Sequence, residues 1–186
     1  MTVEQSLSDA EQKMRSAVSV TQDELGTIRT GRANPRLLDR LTVDYYGTQV
    51  PLNQLASFSV PEPRLLVIQP FDKSAISAME KAIQSSDLGL TPSNDGNVIR
   101  LAFPPLTEER RKELTKLAKE RAEDGRVSVR NVRRHAKESL ERLEREHTIS
   151  EDDLRRSEKE LQRLTDQYVA EIDKLLEHKD KELMEV

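Results

Sequence analysis

The sequence predicts an α+β protein: an elongated antiparallel three-helix bundle, residues 1–30 and 106–186, interrupted by a small β/α/β domain, residues 31–105. Three observations lead there. Apolar residues near both ends recur at three- and four-residue steps, the signature of one buried helix face. The middle changes to short extended runs punctuated by turn residues. Charged residues make up 34% of the 186 positions and hydrophobic ones only 35%, which favours long amphipathic helices over a thick spherical core.

The first helix opens on Thr2 and Gln5, a capping box, and carries Leu7, Ala10, Met14, Ala17, Val18, Thr21, Leu25 and Ile28 on one face. Its expected end is Thr30-Gly31, since glycine adopts the left-handed conformation cheaply and Pro35 prevents an easy restart. Leu41 to Leu52 reads as a hairpin turning at Gly47-Thr48, and Arg64–Gln69 and Val98–Phe103 as further strands. Between these, Asp72 caps a short helix with Ile76, Met79 and Ile83 on one face, and Asn94-Asp95-Gly96-Asn97 forms a turn. Tyr45, Tyr46, Phe58, Phe71 and Phe103 all fall in this stretch, so it should hold its own core.

Pro104-Pro105 blocks continuation of either strand or helix, and Thr107 with Glu108 and Glu109 caps the second long helix. That helix runs to about Glu146, roughly 60 Å at 1.5 Å per residue, with Gly125 as its weakest point on propensity. Ser150 caps the third, with Ile149 stapled onto Leu154 and a seam of Leu161, Leu164, Tyr168, Ile172 and Leu175. None of these helices can bury its seam alone, so the first should pack on the antiparallel pair. Two chain crossings then join the domains, with hinges expected near residues 30–32 (Thr30, Gly31) and 104–105 (Pro104, Pro105).

Charge is unevenly placed. Residues 107–147 hold thirteen bases against ten acids, whereas residues 148–186 hold seven against twelve. On the second long helix Lys112, Lys116, Lys119, Arg126, Arg130, Arg133 and Lys137 fall on one face, interrupted at Glu123. No acid occurs from Arg126 to Lys137, a span that also holds Arg134 and His135. Such a cluster of planar guanidinium forks attracts a polyanion. The plainer reading, a solvated face paired with acids of the third helix, accounts for many charge runs of this kind. Arg29 and Arg32 flank Gly31 and suit either phosphate contact or local carbonyls. Of Tyr45 and Tyr46, adjacent on a strand, one should face the core.

Catalysis is not expected: the chain has no phosphate-cradling glycine loop, no nucleophile elbow and no cysteine. His135, His147 and His178 are too widely spaced to ligate a metal from one helix face, so neither metal nor other cofactor is expected. Absence of cysteine fits a reducing cytoplasm, and no run approaches the length a membrane span needs. A monomer is expected. The alternative function from another class is a helical co-chaperone or scaffold holding a protein partner along its seam.

Five segments carry a resemblance: Arg29-Thr30-Gly31-Arg32-Ala33, Tyr45-Tyr46-Gly47, Gln69-Pro70-Phe71-Asp72, the run from Pro104 to Lys112, and Arg130-Asn131-Val132-Arg133-Arg134. In this order they resemble the bacterial ribosome recycling factor family, across nearly the whole chain. The resemblance implies a protein-biosynthesis factor that enters the ribosome after translation termination. With elongation factor G and that factor's GTP hydrolysis, it would separate the subunits and release the ribosome from mRNA. It further implies that the helical domain lies on large-subunit ribosomal RNA, with Arg29, Arg32, Arg130 and Arg133 facing it, and that the inserted domain moves. The full RNA-binding set expected here is Arg29, Arg32, Arg126, Arg130, Arg133, Arg134 and Lys137. His135 departs from the family pattern, in which many relatives carry an acid after the double arginine.

Overall fold

In a computed structural model, residues 1–185 are described, and they divide into two compact units: Met1–Arg29 with Thr107–Val186, and Thr30–Leu106. The first is a three-helix bundle of α1 (Val3–Gly26), α4 (Glu108–Arg145) and α5 (Glu151–Met184). The second is built from β1 (Thr42–Tyr45), β2 (Thr48–Pro51), α2 (Leu52–Leu55), β3 (Ala56–Glu62), β4 (Leu65–Pro70), α3 (Ile76–Gln84), β5 (Pro92–Asn94) and β6 (Ile99–Ala102).

Local chemistry sets the bundle's helix ends. Thr2 accepts from the Gln5 amide while the Gln5 side chain accepts from the Thr2 amide, and Ser150 and Asp153 make the same reciprocal pair before α5. Thr107 accepts from the Arg110 amide and starts α4. One boundary differs from expectation. α1 ends at Gly26, four residues before Thr30, because glycine is a poor helix former and Thr27 closes the last turn by donating through Oγ1 to the Glu24 carbonyl at 2.7 Å. Gly31 instead sits in a later turn at φ +75, where a side chain would press on Leu106.

Arg126 reaches Asp173 and Arg133 reaches Gln162, so α4 and α5 run antiparallel. α1 lies alongside α5 and antiparallel to α4, with Arg15 on Tyr168 and Thr21 against Gly125. The seam buries Ala10 and Met14 of α1, Ala122, Val129 and Leu140 of α4, and Leu161, Leu164 and Ile172 of α5. At its edge the buried Tyr168 hydroxyl donates to Glu11 and accepts from Arg15 Nε, both at 2.8 Å, so its burial leaves no orphaned polar group.

Gly125 is not a weak point. It is buried against Thr21 of α1: a Cβ there would lie 3.1 Å from Thr21 Cβ and Cγ2, and nearer still to Oγ1. Helix propensity alone would reward Gly125→Ala by about 1 kcal/mol. Overpacking against a β-branched side chain held by its bond to the Ala17 carbonyl costs roughly 1–3 kcal/mol and wins. Gly125→Ala is therefore expected to lower the melting temperature, and adding Thr21→Ala to recover much of the loss; a more stable single variant would contradict this packing.

The second unit holds a two-stranded ribbon, β1–β2, and a four-stranded antiparallel sheet in the order β3-β4-β6-β5. Its own core joins Leu38, Val43, Leu52, Leu66, Ile68, Met79, Ile83, Ile99 and Leu101, and the three residues expected on one face of α3 are all buried. Asp72 caps the 3-10 turn that leads into α3. The sequence pattern announces neither β3 nor β5. Both are edge strands carrying a proline, Pro61 and Pro92, which an edge tolerates and a central strand does not. Of the aromatics in this stretch, Phe71 lies outside the core and is 72% exposed.

Candidate nucleic-acid interface

The basic face of α4 arises because its seam residues, Ala122, Val129, Ala136 and Leu140, turn inward, leaving the arginines on the surface beside α5. The residues predicted to lie there do not form one stripe. Glu123, which interrupts the run, bridges two arginines: its carboxylate lies 3.0 Å from Arg126 Nη1 and 3.3 Å from Arg130 Nη1. Arg126 also meets Asp173 of α5 at 2.7 Å, and only 19% of its side chain is exposed. Burial works against its charge, but the bonds to Asp173 and Glu123 outweigh it and hold the guanidinium protonated. Arg126 thus ties α4 to α5, the plainer reading of a charge run realised at one position.

Past Glu123 the balance changes. Arg130 is half exposed and shares Glu123. Arg133 donates to the neutral Gln162 amide oxygen at 2.9 Å, so its charge is positioned but not cancelled. Arg134 is exposed and has no carboxylate within ion-pair distance among the described residues, and Lys137 has only Glu141 at 3.9 Å. These four side chains line a surface groove of about 570 Å³ between α4 and α5, with Glu158 and Gln162 on the opposite wall. Three guanidinium groups and an ammonium against one lining carboxylate suit phosphate oxygens. His135 is exposed one turn from Glu138, with Nδ1 at 3.8 Å from its carboxylate.

Toward the start of α4, Lys112, Lys116 and Lys119 belong to a separate groove of about 670 Å³, together with Arg111 and Met184. The sequence pattern joined them to the arginines; the Glu123 bridge divides them. Arg29 is exposed just beyond α1, and Arg32 is exposed in the second unit. Among the described residues no group of three or more His, Cys, Asp or Glu could hold a metal ion, and no helix is long and apolar enough to cross a membrane.

Known proteins supply the remaining context. The family described as "Ribosome recycling factor" matches residues 21–184. The chain is 59% identical over 180 residues to the ribosome-recycling factor of Halalkalibacterium halodurans, covering 97% of each protein. It is also 59% identical over 182 residues to that of Geobacillus kaustophilus, covering 98% of each. A solution structure of the ribosome recycling factor superposes with a TM-score of 0.79 at 47% identity, over 100% of this chain and 99% of that one. A second structure contains the T. thermophilus ribosome recycling factor and the E. coli elongation factor G bound to the E. coli post-termination complex. Its recycling factor matches with a TM-score of 0.68 at 46% identity, over the whole of both chains.

Proposed function

The chain belongs to the ribosome recycling factor family, and on that premise we propose that it binds the post-termination ribosome and, with elongation factor G, separates the subunits. It is a non-enzymatic translation factor; the GTP is hydrolysed by elongation factor G. The bundle supplies attachment through the groove of Arg130, Arg133, Arg134 and Lys137, which takes phosphates of large-subunit ribosomal RNA. Arg126 contributes by holding Glu123 and bracing α4 on α5. Arg29 of the first unit and Arg32 of the second are each further RNA contacts. Thr30, Gly31, Pro104 and Pro105 form the hinge about which the second unit turns. The protein acts as a monomer in the cytoplasm, a compartment consistent with a chain that has no cysteine.

The observation that carries the RNA assignment is the uncancelled charge of Arg133 and Arg134 beside a groove on one face of the bundle. Neutralising four phosphates should give a slope of log affinity against log salt of about −3 to −4. Sedimentation with purified ribosomes across a potassium chloride series measures it. A scaffold that docks a protein through apolar contacts would give a slope near zero, and that result would remove the RNA reading.

A further inference from the structure

A groove built only for phosphate should present donors alone, because a phosphodiester oxygen accepts hydrogen bonds and has none to give. Arg130, Arg133, Arg134 and Lys137 meet that requirement, whereas two further lining residues, Asn131 and Glu158, do not. Asn131 stands exposed in the interior of α4, where asparagine is a poor helix former, and its side-chain amide has no partner among the described residues. Its oxygen is therefore an open acceptor beside the arginines. The other amide of the groove is committed: the Gln162 oxygen accepts from Arg133 at 2.9 Å, and its nitrogen donates to Asp166 at 2.8 Å.

Glu158 is the larger departure. It lines the α5 wall and is partly buried, yet the arginines near it on that helix are held by other acids: Arg155 by Glu151 at 2.7 Å, Arg156 by Asp153 and Arg163 by Glu160. None of the four cations lining the groove pairs with it, so among the described residues both of its oxygens stay open. Packing has no use for this charge, and toward a phosphate chain it is repulsive. An open acceptor kept inside a basic groove fits a ligand that also donates.

RNA donates in two places, the ribose 2′-hydroxyl and the edges of unpaired bases. Among the bases, guanine sets two donors side by side, N1–H and N2–H, which match the two oxygens of one carboxylate. Adenine and cytosine offer a single amino group there. An exposed planar guanidinium such as that of Arg134 can stack on the base, and a groove of about 570 Å³ lies within the range of pockets that take small ligands. We propose that this groove takes one unpaired guanine of the ribosomal RNA with its flanking phosphates, Glu158 accepting from N1–H and N2–H and Asn131 bonding the ribose 2′-hydroxyl. This rests on the ribosome-binding function proposed above and gives the phosphate contacts a register, since phosphates position a protein on RNA and base edges specify where.

The test applies kethoxal, which reacts with N1 and N2 of unpaired guanine, to purified post-termination ribosomes saturated with the full chain. The unmodified protein should protect one large-subunit guanine. Glu158→Ala should leave that guanine reactive at saturation and weaken ribosome binding about tenfold, with the melting temperature unchanged because the carboxylate has no partner in the fold. Asn131→Ala should weaken binding severalfold with the protection retained. A groove for phosphate alone predicts the opposite sign at Glu158, since removing the carboxylate lifts a repulsion and tightens binding. Unchanged or tighter binding by Glu158→Ala, a protection that survives this change, no protected guanine, or unchanged binding by Asn131→Ala would overturn the proposal. Failure of the unmodified protein to sediment with ribosomes is the distinct result that would remove the ribosome-binding reading and this site with it.

Discussion

Arg130→Ala combined with Arg133→Ala is expected to weaken ribosome binding by about two to four powers of ten while leaving the fold intact. Each arginine offers charge-assisted hydrogen bonds, worth roughly 1.5–3 kcal/mol, and about 1.4 kcal/mol corresponds to a factor of ten. Within the protein, Arg133 makes one neutral bond to Gln162, and Arg130 shares a carboxylate that Arg126 still occupies. Removing them should therefore change stability by no more than about 0.5 kcal/mol each. Arg126→Ala should behave in the opposite sense. It removes the tie to Asp173 and strands a partly covered patch of the α4–α5 contact, so its loss of stability should exceed that of either neighbour. Equilibrium sedimentation and thermal melts on the same preparations separate the two kinds of arginine. Normal binding by the double variant would show that the groove is not the RNA contact.

The second large effect is on subunit separation with binding preserved. Two short crossings joining two bodies allow rotation about the line through both, and hinges are commonly a few residues at element ends. Gly31, at φ +75, and the paired prolines 104 and 105 lie at these crossings. Cysteines introduced in pairs on the two sides of the crossings, in a chain that has none of its own, allow the units to be locked by oxidation and released by reductant. The oxidised protein should sediment with ribosomes as before but lose nearly all subunit separation, and reductant should restore it. Undiminished separation by fully crosslinked protein would rule out a hinge at these residues.

The helical half of the fold was readable because its determinants are local. Thr2, Thr107 and Ser150 each bond an amide three residues on, and the seam residues repeat at helical spacing, so caps and faces follow from short windows of sequence. What depended on distant partners was not readable. β3 and β5 are strands only because β4 and β6 pair with them, and Pro61 and Pro92 argue against a strand until their edge positions are known. Gly125 looked like a propensity defect because nothing near it in sequence announces Thr21 on another helix. The basic face shows the same division. Its residue types and spacing were legible, but the partition was not: Asp173, which withdraws Arg126, comes from α5, 47 residues away. A signal was available for Glu123, since an acid three residues before Arg126 and seven before Arg130 can bridge both on one helix face. The exposure of Phe71 had none, because nothing in the flanking sequence says which way its ring faces.

On the proposed function, this chain couples GTP hydrolysis by elongation factor G to subunit separation, contributing attachment and a movable unit but no chemistry. Light scattering of purified post-termination ribosomes, mixed with this protein, elongation factor G and GTP and repeated with each component omitted, tests it most directly. A rapid fall in scattering is expected only when all three are present, and none when a non-hydrolysable analogue replaces GTP. An equal fall without this protein, or one that needs neither elongation factor G nor GTP, would contradict it.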